Sequence, residues 1–312
     1  MKPIVIGSRG SRLALWQANH IRQEIERRVP EAQVRIEVLK TSGDKISESS
    51  LARFGTIKGL FVKEIEEALL ASSVDLAVHS LKDVPTELPK GLCLGAILKR
   101  EDARDALVGN GSLGSLQDLA QGAKVGTSSL RRRLQMEILR PDCSVVGLRG
   151  NVDTRIRKMA DTGLDAIVLA AAGLRRLELE HQIAHLFSVD EMVPAIGQGA
   201  LAVEIRSADK ALNRVVAPLD DPETRLCTDA ERAFLHAMGG GCQVPMGAHA
   251  QIENKLATFR AFVASPNGDR ALRRIMRGEP ERLQELALQA AQEMISEGAG
   301  EILKQFNSQQ KQ

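Results

Sequence analysis

The sequence predicts an α/β protein, with two parallel α/β lobes followed by a smaller α+β domain. Over the first two hundred residues, short apolar and β-branched runs alternate with helical patterns, as they do in successive βαβ units. After Pro222 the order changes to a long helix, three strands joined by short turns, and a closing helix. A chain of 312 residues accommodates two or three hydrophobic cores.

Taken in order, Pro3 to Ser8 reads as a strand that runs through Arg9-Gly10-Ser11 into a helix marked by Leu13, Leu15, Trp16, Ile21 and Ile25. A strand end delivered to a helix N-terminus is an anion cradle, and Arg9 sits in it. A second strand covers Val34 to Leu39. The polar, aperiodic stretch from Thr41 to Gly59 is long for a connection, which fits a lid. A helix is expected from Leu60 to Ala71, then a buried strand over Val74 to His79 with Ser80, Lys82 and Asp83 just past its end. Ligands bind at such ends in open α/β sheets. Pro85 favours an extended turn there. A further strand covers Leu92 to Leu98.

The βα unit then repeats three times, with strands at Lys124 to Gly126, Cys143 to Leu148 and Asp165 to Ala170, and helices at Leu130 to Leu139, Val152 to Ala160 and Ala171 to Leu179. Thr127-Ser128-Ser129 and Asn151 supply capping groups. Each strand-to-helix corner carries arginine or lies beside it: Arg131, Arg132 and Arg133; Arg149 and Arg155; Arg175 and Arg176. Parallel strands bring such corners to one sheet edge, where guanidinium groups and helix N-termini suit carboxylates. Arg133, Arg157 and Arg175 read equally well as solvated helix residues. Ile196 to Ile205 is a glycine hinge entering a strand, Lys210 to Ala217 a helix, and Glu223 to Met238 a long helix that ends in Gly239-Gly240-Gly241. Cys242 follows on a loop closed by Pro245 and Gly247. Such a loop suits a reachable, reactive thiol, although a buried structural cysteine in a tight turn fits the loop alone as well. Strands near Gly247 to Glu253, Leu256 to Ala264 and Asp269 to Arg277, with turns at Asn254-Lys255 and around Pro266, make a small antiparallel sheet.

Composition is that of a soluble globular chain, 43% apolar and 26% charged. Cys93, Cys143, Cys227 and Cys242 show neither CxxC nor metal-ligand spacing, so no metal site is expected and a reducing cytoplasm fits. No signal-peptide pattern or membrane-length apolar run is present. From Lys124 to Arg176, nine Arg and two Lys stand against five acidic residues, a net of +6. The whole chain sums to +2, so the remainder carries −4. This points to a local field for an anionic ligand. Nucleic acid is disfavoured because aromatic residues are 3% of the chain, too few for stacking platforms.

The chain resembles the porphobilinogen deaminase family, whose members are also called hydroxymethylbilane synthases. The resemblance covers nearly the whole sequence. It is carried by Leu13-Ala14-Leu15-Trp16-Gln17, Lys58-Gly59-Leu60-Phe61-Val62-Lys63-Glu64, His79-Ser80-Leu81-Lys82-Asp83-Val84-Pro85 and Gly126-Thr127-Ser128-Ser129-Leu130-Arg131-Arg132. It continues through Leu148-Arg149-Gly150-Asn151-Val152-Asp153-Thr154-Arg155, Pro194-Ala195-Ile196-Gly197-Gln198-Gly199 and Gly240-Gly241-Cys242-Gln243-Val244-Pro245. The resemblance implies two periplasmic-binding-protein-like α/β domains plus a small C-terminal α+β domain with a three-stranded antiparallel sheet. The first domain would be discontinuous, residues 1–98 with 198–217, the second 99–197 and the third 218–312. It implies a transferase of tetrapyrrole and haem biosynthesis, in which a dipyrromethane cofactor joined to Cys242 by a thioether is extended by four porphobilinogen units. Ammonia leaves at each addition, and water then frees hydroxymethylbilane. Asp83 matches the catalytic aspartate. Ser80, Lys82, Thr127, Ser129, Arg131, Arg132 and Arg155 match cofactor-binding positions, and Arg9, Gln17, Arg149, Arg155 and Arg176 match substrate-binding ones. Lys58 and Phe61 fall in the lid. A cytoplasmic monomer that binds neither nucleic acid nor membrane and passes its product to uroporphyrinogen-III synthase is likewise implied. Departures are Arg12 and Ala103, where proline is common, and Thr56-Ile57, where a glycine pair is.

Two rivals suit parts of the pattern. A solute receptor would use the converging arginines but leave the cysteine loop unexplained. A thiol hydrolase would need Cys242 with His249 or His236, but no thiol-enzyme signature surrounds the cysteine.

Overall fold

The structure is a computed structural model that describes residues 3–39, 59–109, 113–239 and 245–309. In chain order the elements are β1 (Ile4–Ser8), α1 (Arg12–Arg28), β2 (Val34–Val38), α2 (Gly59–Leu70), β3 (Leu76–Ser80), β4 (Leu92–Ile97), β5 (Asp105–Gly109), β6 (Lys124–Gly126), α3 (Leu130–Leu139), β7 (Ser144–Val146), α4 (Val152–Asp161), β8 (Ala166–Ala170), α5 (Ala171–Arg176) and β9 (Ile183–Leu186). They continue with β10 (Leu201–Arg206), α6 (Lys210–Val216), α7 (Pro222–Ala237), β11 (Met246–Glu253), β12 (Leu256–Ala264), β13 (Ala271–Gly278), α8 (Leu283–Ser296) and α9 (Ala299–Gln309). The chain forms two compact units. Residues 1–100 and 200–225 make one, and residues 101–199 and 226–312 make the other.

The first unit holds a five-stranded sheet in the order β2-β1-β3-β10-β4. β1 runs parallel to β2 and β3, whereas β10 is antiparallel to β3 and β4. Alternate residues of β1 serve opposite faces: Ile4 and Ile6 pack with Ile21 and Ile25 of α1, and Val5 packs with Ile65 and Leu69 of α2. A sheet covered on both faces needs strands apolar throughout, and every residue of β1 is buried.

In the second unit, the sheet β7-β6-β8-β5-β9 repeats that plan, with β6 parallel to β7 and β8 and β5 antiparallel to β8. Leu107, Val125 and Val168 face one core, and Ala106, Val108 and Ile167 face another. The same unit carries the antiparallel sheet β11-β12-β13. One face of it packs on α7, α8 and α9 through Phe234, Phe259, Ala290 and Met294. On its other face, Phe262 and Ala264 meet Leu134 and Val193. The β11–β12 hairpin closes through Asn254 and Lys255, both at positive φ, as a two-residue turn requires.

The α/β class and the three-stranded sheet agree with the sequence reading, with three corrections. The lobes are mixed rather than parallel, because β10 and β5 run against their neighbours. β5 and β9 have no counterpart in the sequence reading: β9 is four half-buried residues and carries no period. α5 ends at Arg176, short of Leu179, because Glu178 turns to φ +59 and Leu179 N–H bonds back to Leu174 O.

Candidate active site

In the first unit the chain leaves β1 toward β2 on one side and reaches β3 on the other, so the sheet has its switch point between β1 and β3. The pairing of β1 with β3 runs only as far as Gly7↔Ala77. Beyond that point the two strand ends carry Arg9 on one side and Ser80 to Asp83 on the other. Ser11 caps α1 by accepting from Ala14 N–H at 3.2 Å. Further along α1, buried Gln17 donates from Nε2 to Ser80 Oγ at 2.8 Å. Ser80 Oγ is thereby the acceptor in that bond, which leaves its own O–H to point at another acceptor.

Leu81 to Asp83 form one 3₁₀ turn, not the extended turn expected from Pro85. Residues three apart eclipse in such a turn. Leu81 and Val84 accordingly go inward, 1% and 2% exposed, onto Ile97, Ala200 and Ala202. Lys82 and Asp83 remain half-buried at the strand's carboxyl end. Val84 itself is extended, as a residue before proline is.

In the second unit the corresponding corner follows β6. Thr127 is buried, donates N–H to Val146 O at 2.8 Å, and accepts from Ser129 N–H at 3.2 Å. Ser129 caps α3, on whose first turn Arg131 and Arg132 stand. These two are not solvated: both are buried against Asp105, Arg131 through Nη1 at 2.7 Å and Arg132 through Nε at 2.8 Å. Arg131 also donates to Val193 O, and Gln198 Nε2 donates to Asp105 Oδ1 at 3.0 Å. Burial alone would push the Asp105 carboxyl up, but the two guanidinium groups outweigh it and hold the group well below the usual range. Two cations against one anion leave the cluster at +1, beside a helix N-terminus.

Arg149 is exposed on the loop before α4, and half-buried Arg155 donates from Nε to Gly150 O at 2.7 Å. Arg176 is buried and donates to Gly199 O at 2.6 Å, and burial lowers its pKa to about 10, so it stays cationic at neutral pH. Arg133 and Arg175 are surface ion-pair residues, with Glu137 and with Glu101 and Asp102. Sequence reasoning missed Asp105. Its one visible sign is an acidic residue opening the apolar run Asp105-Ala106-Leu107-Val108.

Lys58 and Cys242 lie outside the described residues, as does the Phe61 side chain. The segments flanking Cys242 are anchored within the second unit. α7 is bound into the C-terminal core, and Glu231 on it accepts from Gly197 N–H at 2.7 Å and from Ala250 N–H at 2.8 Å. At the start of β11, a Cβ on Gly247 would lie 2.7 Å from Pro194 O and 3.1 Å from Arg131 Cδ. Glycine is what lets the strand reach this close to the arginine pair.

Each unit is a mixed α/β sheet with hydroxyl, amide or guanidinium groups beside a helix N-terminus at its strand ends, a set suited to carboxylates. Residues 4–214 match the family described as "Porphobilinogen deaminase, dipyromethane cofactor binding domain", and residues 225–296 match its C-terminal domain. The chain belongs to the porphobilinogen deaminase family. It is 47% identical to the porphobilinogen deaminase of Geobacter metallireducens over 97% of this chain and 94% of that one. It is 49% identical to that of Syntrophotalea carbinolica over 96% and 94%. A solved nutrient binding protein from Burkholderia cenocepacia bound to methionine aligns at a TM-score of 0.44 and 12% identity, over 71% of this chain and 93% of that one.

The chain is therefore a transferase that polymerises porphobilinogen in tetrapyrrole biosynthesis, and its cofactor is dipyrromethane. Residues 127–132 fit a group rich in carboxylates, because a helix N-terminus with the Thr127 and Ser129 hydroxyls stands beside an arginine pair whose charge Asp105 only half neutralises. Family membership sets aside the receptor and hydrolase readings. No helix among the described residues is long and apolar enough to cross a membrane.

Proposed function

We propose that the chain joins four porphobilinogen units head to tail into linear hydroxymethylbilane, with one ammonia lost at each addition. The primer is dipyrromethane held by Cys242 through a thioether. When bound there, it supplies the pyrrole carbon onto which the first unit is joined. Asp83 is the catalytic carboxylate. It faces the cation that forms when porphobilinogen loses its amine, and it moves protons at the leaving nitrogen and the attacked carbon. Lys82, Ser80, Thr127, Ser129, Arg131, Arg132 and Arg155 hold primer carboxylates. Arg9, Gln17, Arg149, Arg155 and Arg176 hold those of the incoming unit, with Arg176 acting by charge from its buried place. Lys58 and Phe61 belong to the lid.

The observation that carries this reading is the 3₁₀ turn at the end of β3, in which two buried apolar residues turn Lys82 and Asp83 outward. We further propose three domains, 1–98 with 198–217, 99–197 and 218–312, in a cytoplasmic monomer whose product passes to uroporphyrinogen-III synthase. The test is the intact mass of the purified protein with and without Cys242→Ser, together with ammonia release by Asp83→Asn. An excess of two linked pyrroles that is absent from the serine variant supports the thioether. The bare polypeptide mass, unchanged after incubation with porphobilinogen, refutes it. Asp83→Asn should release no ammonia, and retained turnover would remove Asp83 from its role.

A further inference from the structure

On the strand that ends in the Asp83 turn, and on the elements packed against it, lies a set of buried ionisable groups to which the proposed function gives no role. His79 is the residue before Ser80. Its Nε2 lies 2.9 Å from Glu204 Oε2 on β10, with the two side chains 6% and 0% exposed. The register explains the contact. His79 stands opposite Ala202 and Glu204 opposite Ala77, so the two long side chains meet on a diagonal over two alanines. From α2, Glu66 brings a third group on the helix face that also buries Val62, Ile65 and Leu69. Its carboxyl is pushed up by burial and by the charge of Glu204, with His79 pulling the other way. Oε1 of Glu66 and Oε1 of Glu204 are buried without a hydrogen-bond partner among the described residues.

An apolar trio would fill this place without the desolvation penalty of buried charge. The polar set stands at the end of β3. Among the described residues the strand past Ala77 pairs with β10 alone, and on the β1 side its last residue is held by the Gln17 side chain. We propose that His79 is a positioning residue for the reaction: bonded to Glu204 and faced by Glu66, it fixes the end of β3 and so the direction in which Asp83 leaves the turn. This rests on Asp83 being the catalytic carboxylate.

The experiment compares His79→Leu with His79→Gln, which keeps an N–H donor near the place of Nε2. Rates are expressed per molecule carrying primer, counted by intact mass, and measured well below the unfolding midpoint. His79→Leu should lower kcat roughly 10- to 100-fold with KM within about twofold, while His79→Gln keeps kcat within about threefold. Wild-type kcat in His79→Leu overturns the proposal, as does equal loss in both variants or a loss carried by KM. If His79→Leu does not fold, His79→Asn, whose amide is too short to reach Glu204, is read the same way. Asp83→Asn is run alongside. Turnover retained there would sink the Asp83 assignment, whereas failure at His79 alone leaves that assignment standing.

Discussion

Asp83 and Asp105 are carboxylates at strand ends with opposite surroundings, and the difference sets what each substitution does. Asp83 is half-buried on a turn whose fold rests on its neighbours Leu81 and Val84. Asp83→Asn should therefore cut turnover by about 10²-fold or more and change stability by no more than about 0.5 kcal/mol; rate and urea midpoint on one preparation check this. Asp105 is fully buried between two arginines. Removing its charge strands both, so Asp105→Asn should lose about 3–5 kcal/mol in urea unfolding. Because its folded pKa is depressed, that contribution is present above the ordinary aspartate value. The gap between wild type and variant should hold from pH 8 to about 5 and shrink once pH falls below about 4. Glu66 has the opposite sign. Its raised pKa gives stability that is full below the ordinary glutamate value of about 4.3 and is lost as pH rises through the folded one. Glu66→Gln should thus match wild type near pH 4 and melt on the order of 1–3 °C higher near pH 7.5, as pH-resolved thermal melts would show.

Elements whose period was strong in the sequence are present in the structure. α1 and the strands β1, β3, β12 and β13 fall within a few residues of their expected bounds, because each is long or buried enough for one face to repeat. β9, a four-residue edge strand, and β5, five residues paired between β8 and β9, are each too short to show a period of their own and are specified by the strands they join. The site behaved likewise. Arginine at strand-to-helix corners was readable, but the carboxylate that binds two of those arginines sits on the unread strand. Close approach was also invisible in sequence. The strand expected from Gly247 is present as β11, but nothing in the sequence tells that the Pro194 and Val193 carbonyl oxygens stand 2.7 and 2.8 Å from where a Cβ on Gly247 would be. Backbone carbonyls cannot swing aside, so Gly247→Ala should cost about 1–3 kcal/mol. By shifting the C-terminal flank of the Cys242 loop it should also lower the fraction of molecules carrying primer; intact mass reads that fraction, and full loading would show that the flank does not matter.

At the scale of the whole molecule, charge is the property that separates binding from chemistry. The net +6 between Lys124 and Arg176 lies in a chain of total +2, so the positive field is local to the second unit. Within that stretch, Arg131 and Arg132 share Asp105 in a buried place that salt reaches poorly, whereas Arg149 is exposed and Arg155 half-buried. Screening acts on the exposed pair first, over a Debye length of about 10 Å at 0.1 M salt. If Arg149 and Arg155 gather the carboxylates of incoming porphobilinogen, raising salt from about 0.02 to 0.3 M should raise KM several-fold. If Asp83 is the catalytic carboxylate, the same change should leave kcat nearly fixed, because Asp83 belongs to the first unit and not to this arginine stretch. Arg149→Gln should raise KM at low salt and flatten its salt dependence, since the charge being screened is already gone. A KM indifferent to salt in the wild-type enzyme would remove these two arginines from substrate capture and leave the field to the buried pair.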